Sequence, residues 1–401
     1  MISDSSDDLR IGIIGGGIGG RAALQFLRAA GLRSVSLYEQ APSIADVGAG
    51  IQLAPNAVRL LRALGLGEKL RDVAVRLEIG WEMRRWRDGR VLFSQELGDA
   101  CERTYGAPYY VVHRAALLRL LGADQPDPAI HLGLRCVGVD QPGDNVRLRF
   151  DDGSTADVDV AIGADGIHST VQQAIAAPAQ PTFSHLAAYR CLVPADCVPE
   201  LVRRPVFTLW LGPGRHLVHY PVSGREINVV AVVPADDWRT ESWSVQGRVA
   251  DFVKEFAGWD DRVAALISAA SETGLYALYD RKPLERWVNG RIGLLGDAAH
   301  PMLPAMAQGA AQAVEDAAVL ARCLRAATRD TAGEALLYYQ ELRYERATSV
   351  QQLSRRRPEE YHLPDGELQR RRDQNLALRD LLNHHAWIWG SDVASTVPPR
   401  P

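Results

Sequence analysis

Three stretches far apart in the 401-residue chain end an apolar run with glycine and a carboxylate, and a fourth carries a histidine and a tyrosine four positions apart. The first reads Arg10-Ile-Gly-Ile-Ile14, then Gly15-Gly16-Gly17-Ile18-Gly19-Gly20, then the helical spacing of Arg21 to Ala30. A strand, a glycine turn and a helix in that order can hold a pyrophosphate. Gly15 permits the tight turn, Gly17 lets backbone approach the anion, Gly20 lets helix pack on strand, and the helix N-terminus at Ile18 and Gly19 offers N–H groups with no partner in the helix. A second apolar run, Ser34 to Glu39, ends in a carboxylate about twenty residues later, where a ribose diol needs an acceptor.

The second stretch, Val158 to Gly163, reads as a buried strand that breaks into a turn at Asp165-Gly166, with Ser169 or Thr170 opening the next helix. The third repeats the grammar: Arg291 to Leu295 lead into Gly296-Asp297, and the chain then runs through Pro301 to Gln308-Gly309 and a long helix.

The fourth stretch is Arg215-His216-Leu217-Val218-His219-Tyr220. The two-residue period of a strand puts His216, Val218 and Tyr220 on one face and Leu217 and His219 on the other. His216 and Tyr220 can then act together on a phenol, for which a histidine of ordinary pKa, about 6.5, is a suitable base. His219 is read as structural.

The elements that must position these residues are legible in outline. Runs over 185–193, 205–211, 215–222 and 226–233, separated by Gly- and Pro-bearing turns, predict an antiparallel sheet, and the Asp-Asp-Trp and Gly-Trp-Asp stretches read as loops. The segment Val47-Gly-Ala-Gly-Ile-Gln52-Leu-Ala-Pro55-Asn56 has the glycine content of a mobile loop, with Asn56 expected to cap a helix over 57–64. The arginine runs Ser354-Arg-Arg-Arg357 and Gln369-Arg-Arg-Arg372 read as solvated helix faces, and the ending around Trp387 and Trp389 as packed on the N-terminal unit.

Bulk properties restrict the rest. At this length two interlocked units are expected rather than one. A formal net charge of -4 gives no general attraction to nucleic acid or anionic membranes, and no segment approaches the roughly eighteen apolar residues of a membrane span. The acidic start, Met1 to Asp8, does not read as an export signal, so a cytoplasmic protein is expected. Five cysteines without a Cys-x-x-Cys predict neither a disulfide framework nor a metal site.

In all three glycine-acid motifs, and in their order, the chain resembles the class A flavoprotein monooxygenases, the family of para-hydroxybenzoate hydroxylase and salicylate hydroxylase. The resemblance spans nearly the whole chain. It implies an α/β fold in which a Rossmann-like FAD-binding domain (1–180 and 276–325) interlocks with a mixed, largely antiparallel substrate sheet (181–275), followed by C-terminal helices (326–401). It implies FAD held by Gly15, Gly17, Ile18, Gly19, Gly20, Glu39, Asp165, Gly166, Gly296, Asp297, Gln308 and Gly309, with Arg114 reaching the cofactor from the start of a helix over 115–121. The helix that opens near Gln308-Gly309 would aim its positive end at the flavin pyrimidine ring.

The resemblance further implies NADH or NADPH as electron donor, O2 as co-substrate, and hydroxylation of a phenolic or aromatic acid, with or without loss of a carboxylate. Oxygen is then activated at C4a of the flavin. His216 and Tyr220 match a His-x-x-x-Tyr pair of the salicylate hydroxylase-like branch, and Gln52 and Pro301 fall where substrate is bordered. Relatives acting on hydroxypyridine carboxylates carry histidine at the places of Gln52 and Ala305, which disfavours a pyridine substrate. A non-phenolic substrate such as a purine, polyketide or isoprenoid, or a flavin-bound protein without turnover, stays open, as does monomer or homodimer.

Overall fold

The computed structural model describes residues 9–43, 50–123, 126–176, 181–199, 204–236 and 246–393. The acidic start, the loop residues Val47 to Ala49 and the loop at Asp237-Trp238 lie outside the described residues.

A six-stranded sheet runs in the order Val288–Asn289, Ile292–Leu294, Val160–Gly163, Ile11–Ile14, Val35–Glu39 and Ile130–Leu132. All its pairings are parallel except the first. Every residue of Ile11–Ile14 and Val160–Gly163 is buried, which is why these strands read as unbroken apolar runs. Ile14 lies opposite Gly163, and Gly163 opposite Leu294. Because the three strands are adjacent and parallel, their carboxyl ends stand side by side, and the three glycine-acid loops converge there as the sequence predicts.

The second sheet has eight strands, in the order Gln246–Gly247, Thr273–Asp280, Thr182–Pro194, Glu226–Pro234, Arg215–Pro221, Val206–Gly212, Gly80–Arg85 and Val91–Gln95. It is wider than residues 181–275, because the hairpin over 80–95 extends it through a parallel pairing of Gly80–Arg85 with Val206–Gly212. Tyr189, Leu217, Val229 and Ala231 on one face pack against Phe252 and Val263 of two short helices, Val249–Glu255 and Asp261–Ser268, and against Phe256, which ends the first. The alternate residues face the interior between the two sheets.

A 30-residue helix, Ala332–Tyr361, passes both sheets. Tyr339 donates its hydroxyl hydrogen to Leu294 O (3.0 Å), and the far end of the helix sets Tyr361 edge-on to His216, ring centroids 5.4 Å apart.

Several expectations need correction. Gly50–Leu53, expected within a mobile loop, is a strand paired antiparallel with Tyr110–His113, which places Gln52 opposite Val111. Asn56 is not a helix cap: the helix is Pro55–Ala63, its cap is Ala54, and the Asn56 side chain is buried, donating to Glu315 (2.7 Å) and Gln308 (3.1 Å). The proline at the first helical position sets the start two residues earlier than the asparagine suggests. Asp165-Gly166 leads into a single 3-10 turn, Val171–Ala174, rather than a full helix. The arginine runs are not simply solvated, since Arg357 is buried against Glu360 (2.5 Å) and Arg372 against Asp373 (2.8 Å). Trp389 is enclosed by Trp81, Tyr105 and Tyr109, with Trp81 a residue of the eight-stranded sheet, so the ending wedges between that sheet and the helix Pro55–Ala63 instead of covering one unit.

Candidate active site

A cavity of about 1830 Å³ lies between the two sheets. Its narrower wall is the glycine turn. Gly15 has φ +105°, and a side chain there would put Cβ 2.3 Å from Ala164 O. At Gly20 a Cβ would fall 1.9 Å from Gly15 O, so helix and turn touch only because neither position has a side chain. Gly17 differs: it caps the helix Ile18–Ala29, lines the cavity, and meets nothing within 4 Å on its open side. Gly17, Ile18 and Gly19 thus present the positive end of a 12-residue helix to the cavity.

Glu39 stands at the rim, where it accepts hydrogen bonds from Gly16 N (2.6 Å) and Ala41 N (2.8 Å). The same two amides fix the carboxylate and leave its other lone pairs toward the cavity. Arg114 lines the cavity opposite. Burial lowers its pKa, against the carboxylates of Glu39 and Asp297 that favour its charge. Sequence reading missed Arg21, whose buried guanidinium donates to Gly16 O (3.0 Å) and pins the turn from behind.

The two other acids serve differently. Asp165 spends its carboxylate on Ser169 Oγ (2.6 Å), Thr170 N (2.7 Å) and Val171 N (3.2 Å), so it shapes the turn and leaves Gly166, at φ +76°, on the wall. Asp297 accepts no hydrogen bond from any described residue. It is deep within the molecule yet open to the cavity, and burial raises its pKa against the pull of His300 and Arg114. Nearby, Gln308 accepts from Asn56 and Gln312, while its Nε2 is buried without a partner. Gly309 then opens a 16-residue helix at the cavity's edge. An unpaired carboxylate, an unpaired amide and a helix N-terminus together suit a ligand rich in hydroxyls and carbonyls.

Beneath this turn is an ionic network that the sequence did not reveal. Asp316 accepts from Gly296 N (2.9 Å), contacts His300 Nε2 at 2.6 Å and pairs with Arg343 (2.7 Å). Glu315 takes Arg343 (2.6 Å), Arg346 (2.7 Å) and Asn56 (2.7 Å). Arg343, Glu315 and Asp316 have no exposed surface, and mutual attraction outweighs burial, holding both carboxyl pKa values low and that of Arg343 high.

The broad wall is the inner face of the eight-stranded sheet. His216, Val218 and Tyr220 line the cavity whereas Leu217 and His219 do not, as strand periodicity requires. His219 is buried on the far side, where burial and Arg84 push it down to about 3. Tyr220 stacks on Phe207, centroids 5.8 Å apart. His216 Nδ1 lies 2.7 Å from His362 Nε2, and burial, with His362 adding to it, keeps His216 well below the usual histidine range, so the ring is neutral but a weaker base than the ordinary pKa expected from the sequence. Gln52 lines the cavity and accepts from the Tyr109 hydroxyl (2.8 Å), and Pro301 lines it on the opposite side, its carbonyl held by Gln351 (2.8 Å).

Arg190 is on the same face. Across the sheet, His216 pairs with Val232 and Val232 with Ala188, one pleat from Arg190. The guanidinium lies over the Tyr276 ring (5.6 Å), its Nε has no partner, and no described carboxylate pairs with it. Arg190 is the one arginine or lysine of the strand Thr182–Pro194, and a lone cation in an otherwise apolar run is the signal that could have singled it out from the sequence.

Residues 8–354 match the family model described as FAD binding domain. The chain is 43% identical over 395 residues to a 3-amino-4-hydroxybenzoate 2-monooxygenase of Streptomyces platensis, covering 98% of this chain and 99% of that protein. Among solved structures it is similar to a salicylate hydroxylase substrate complex (TM-score 0.82, 30% identity, 98% of this chain and 97% of that one). It is also similar to Klebsiella pneumoniae HpxO complexed with FAD and uric acid (TM-score 0.84, 28% identity, 96% and 97%).

Proposed function

The chain belongs to the FAD-binding family of class A aromatic monooxygenases, and on that premise we propose that it hydroxylates a phenolic benzoate of the 3-amino-4-hydroxybenzoate kind. The observation that carries this reading is the wall on which His216 and Tyr220 share a face with Arg190, a cation without an acidic partner among the described residues. Arg190 is two strands and one pleat from His216, about 12 Å between backbones at a strand spacing of roughly 4.8 Å and a rise of roughly 3.4 Å per residue, so with both side chains reaching inward one aromatic ring with a phenol at one end and a carboxylate at the other can engage both.

The residues of the first wall fit FAD. Gly17 leaves room for a pyrophosphate that a Cβ would crowd, and Asp297 and Gln308 carry polar atoms that no described protein group satisfies. When bound, FAD accepts electrons from NADH or NADPH and activates O2, chemistry that no side chain can supply. Glu39 would take the ribose, Gly15 to Gly20 the pyrophosphate, Asp297 the ribityl hydroxyls, and Arg114 the cofactor's flank. The helix at Gly309 favours negative charge beside it.

On the substrate, neutral His216 takes the phenolic proton at Nε2, because Nδ1 is already engaged. Loss of that proton raises the electron density of the ring and makes it a nucleophile toward the activated oxygen. Tyr220 and Gln52 fix the ring's position, and Phe207, Leu209, Val218, Val230 and Val232 keep the wall apolar and exclude water.

The experiment is oxygen-dependent NADH and NADPH consumption by the FAD-loaded protein, offered 3-amino-4-hydroxybenzoate, its decarboxylated phenol, salicylate, 6-hydroxynicotinate and urate. The reading expects the phenolic benzoates to stimulate consumption with stoichiometric product, and the phenol without a carboxylate to bind far more weakly. Stimulation by urate alone would overturn it.

A further inference from the structure

We infer that His216 and His362 form a two-histidine relay that conducts the phenolic proton from the cavity toward solvent. The inference rests on the reading of His216 as the base and adds a second residue behind it. The facing nitrogens, Nδ1 of His216 and Nε2 of His362, are 2.7 Å apart, a distance that requires one shared proton. Each ring therefore keeps one other nitrogen. That of His216 belongs to a buried residue lining the cavity, and no described residue hydrogen-bonds it. That of His362 belongs to a half-buried residue outside the cavity lining.

The geometry is built in. His362 follows the last residue of the helix Ala332–Tyr361, its carbonyl accepts from Gly214 N (3.0 Å), and its own amide donates to Pro358 O (2.9 Å). Gly214 is in the hairpin turn just before His216, so the two rings are held together from both backbones. Tyr361 faces His216 from the helix, and Arg215, itself paired with Glu255 (2.6 Å), faces His362. Among the described residues no carboxylate bonds either ring, so nothing traps a proton as a fixed imidazolium. Burial and Arg215 push His362 down to about 4, which makes any proton it receives transient.

The proton balance closes. The phenol O–H breaks as N–H forms at His216 Nε2. The proton on His216 Nδ1 passes to His362 Nε2, and His362 releases its Nδ1 proton to water. The phenolate is left accepting a hydrogen bond from His216 Nε2–H, and reversal returns a proton to the product. No oxidant or reductant takes part.

The test mixes oxidised, FAD-loaded protein without electron donor in a stopped-flow cell with 4-hydroxy-3-nitrobenzoate. It follows the phenolate band and, with an indicator in weak buffer near about pH 6, the proton released. In His362→Gln, which can still bond His216 but cannot conduct, both rates are expected to fall about tenfold or more with little change in Kd, and added imidazole to restore part of the loss. His362→Asn gives a second non-titrating side chain and the same expectation. Rates within twofold of the unaltered protein in both variants would overturn the relay. His216→Gln separates the two readings: if it abolishes ionisation while the His362 variants are silent, the base stands and the relay falls. If it too ionises the probe normally, the base reading fails first.

Discussion

Asp316 holds the backbone amide of Gly296, twenty residues upstream, at 2.9 Å, and the same carboxylate meets His300 and Arg343. The turn that presents Asp297 to the cavity is thus suspended from a buried ion cluster on two helices.

Asp316→Asn should therefore damage the cofactor site without touching it. Removing one partner of a fully buried pair costs about 3–5 kcal/mol, because Arg343 is left undercompensated. Thermal unfolding should shift down, and the purified variant should retain less FAD. An unchanged melting temperature with full flavin content would contradict the assignment.

Two glycines of one turn should behave oppositely. Gly20→Ala would force Cβ to within 1.9 Å of Gly15 O and should prevent folding or lower stability severely. Gly17→Ala meets only open space, so the flavin-free protein should melt as the unaltered one does, while affinity for FAD falls. Equal stability and equal FAD affinity in Gly17→Ala would remove the pyrophosphate from that place.

Arg190→Gln should raise KM for the carboxylated substrate by about 10- to 100-fold, the value of a charge-assisted hydrogen bond of roughly 1.5–3 kcal/mol. With kcat nearly kept and the decarboxylated phenol unaffected, steady-state kinetics would locate the carboxylate. A loss of kcat at constant KM would mean that Arg190 acts on the chemistry instead.

Acid should destabilise the fold before its carboxylates protonate. His219 and His385 are pushed down to about 3 and His362 to about 4, so these rings stay neutral in the folded chain while the unfolded chain protonates them below about 6.5. The unfolded state then binds more protons, and stability, complete above about pH 6.5, is lost as pH falls toward 4 at up to about 1.4 kcal/mol per group and pH unit. His219→Gln should flatten the pH dependence of urea unfolding by close to one proton. An identical slope would show that His219 titrates normally.

Much of the site was legible because its logic is local. The glycine turn needs particular residues at particular steps, the three acids mark strand ends, and a strand's two-residue period separated His216 and Tyr220 from His219. What escaped is what depends on register and distance. Asn56 looks like a cap because its type favours caps, but its partner Glu315 is brought near only by the helix Gly309–Leu324 packing on the helix that begins at Pro55. Arg343 escapes because a helix rich in arginine shows little amphipathic pattern, and only Glu315 and Asp316, buried on the helix packed against it, reveal its inward face. His362 follows a helix whose far end no local pattern ties to residue 216.

In the proposed reaction one oxygen atom from O2 enters a phenolic benzoate held between His216 and Arg190. The most direct measurement is a single turnover of the FAD-loaded, donor-reduced protein with 3-amino-4-hydroxybenzoate under isotopically heavy O2, with the product weighed by mass spectrometry. One heavy oxygen on the ring and little hydrogen peroxide are expected. Substrate recovered unlabelled, with all the oxygen returned as peroxide, would contradict that reaction.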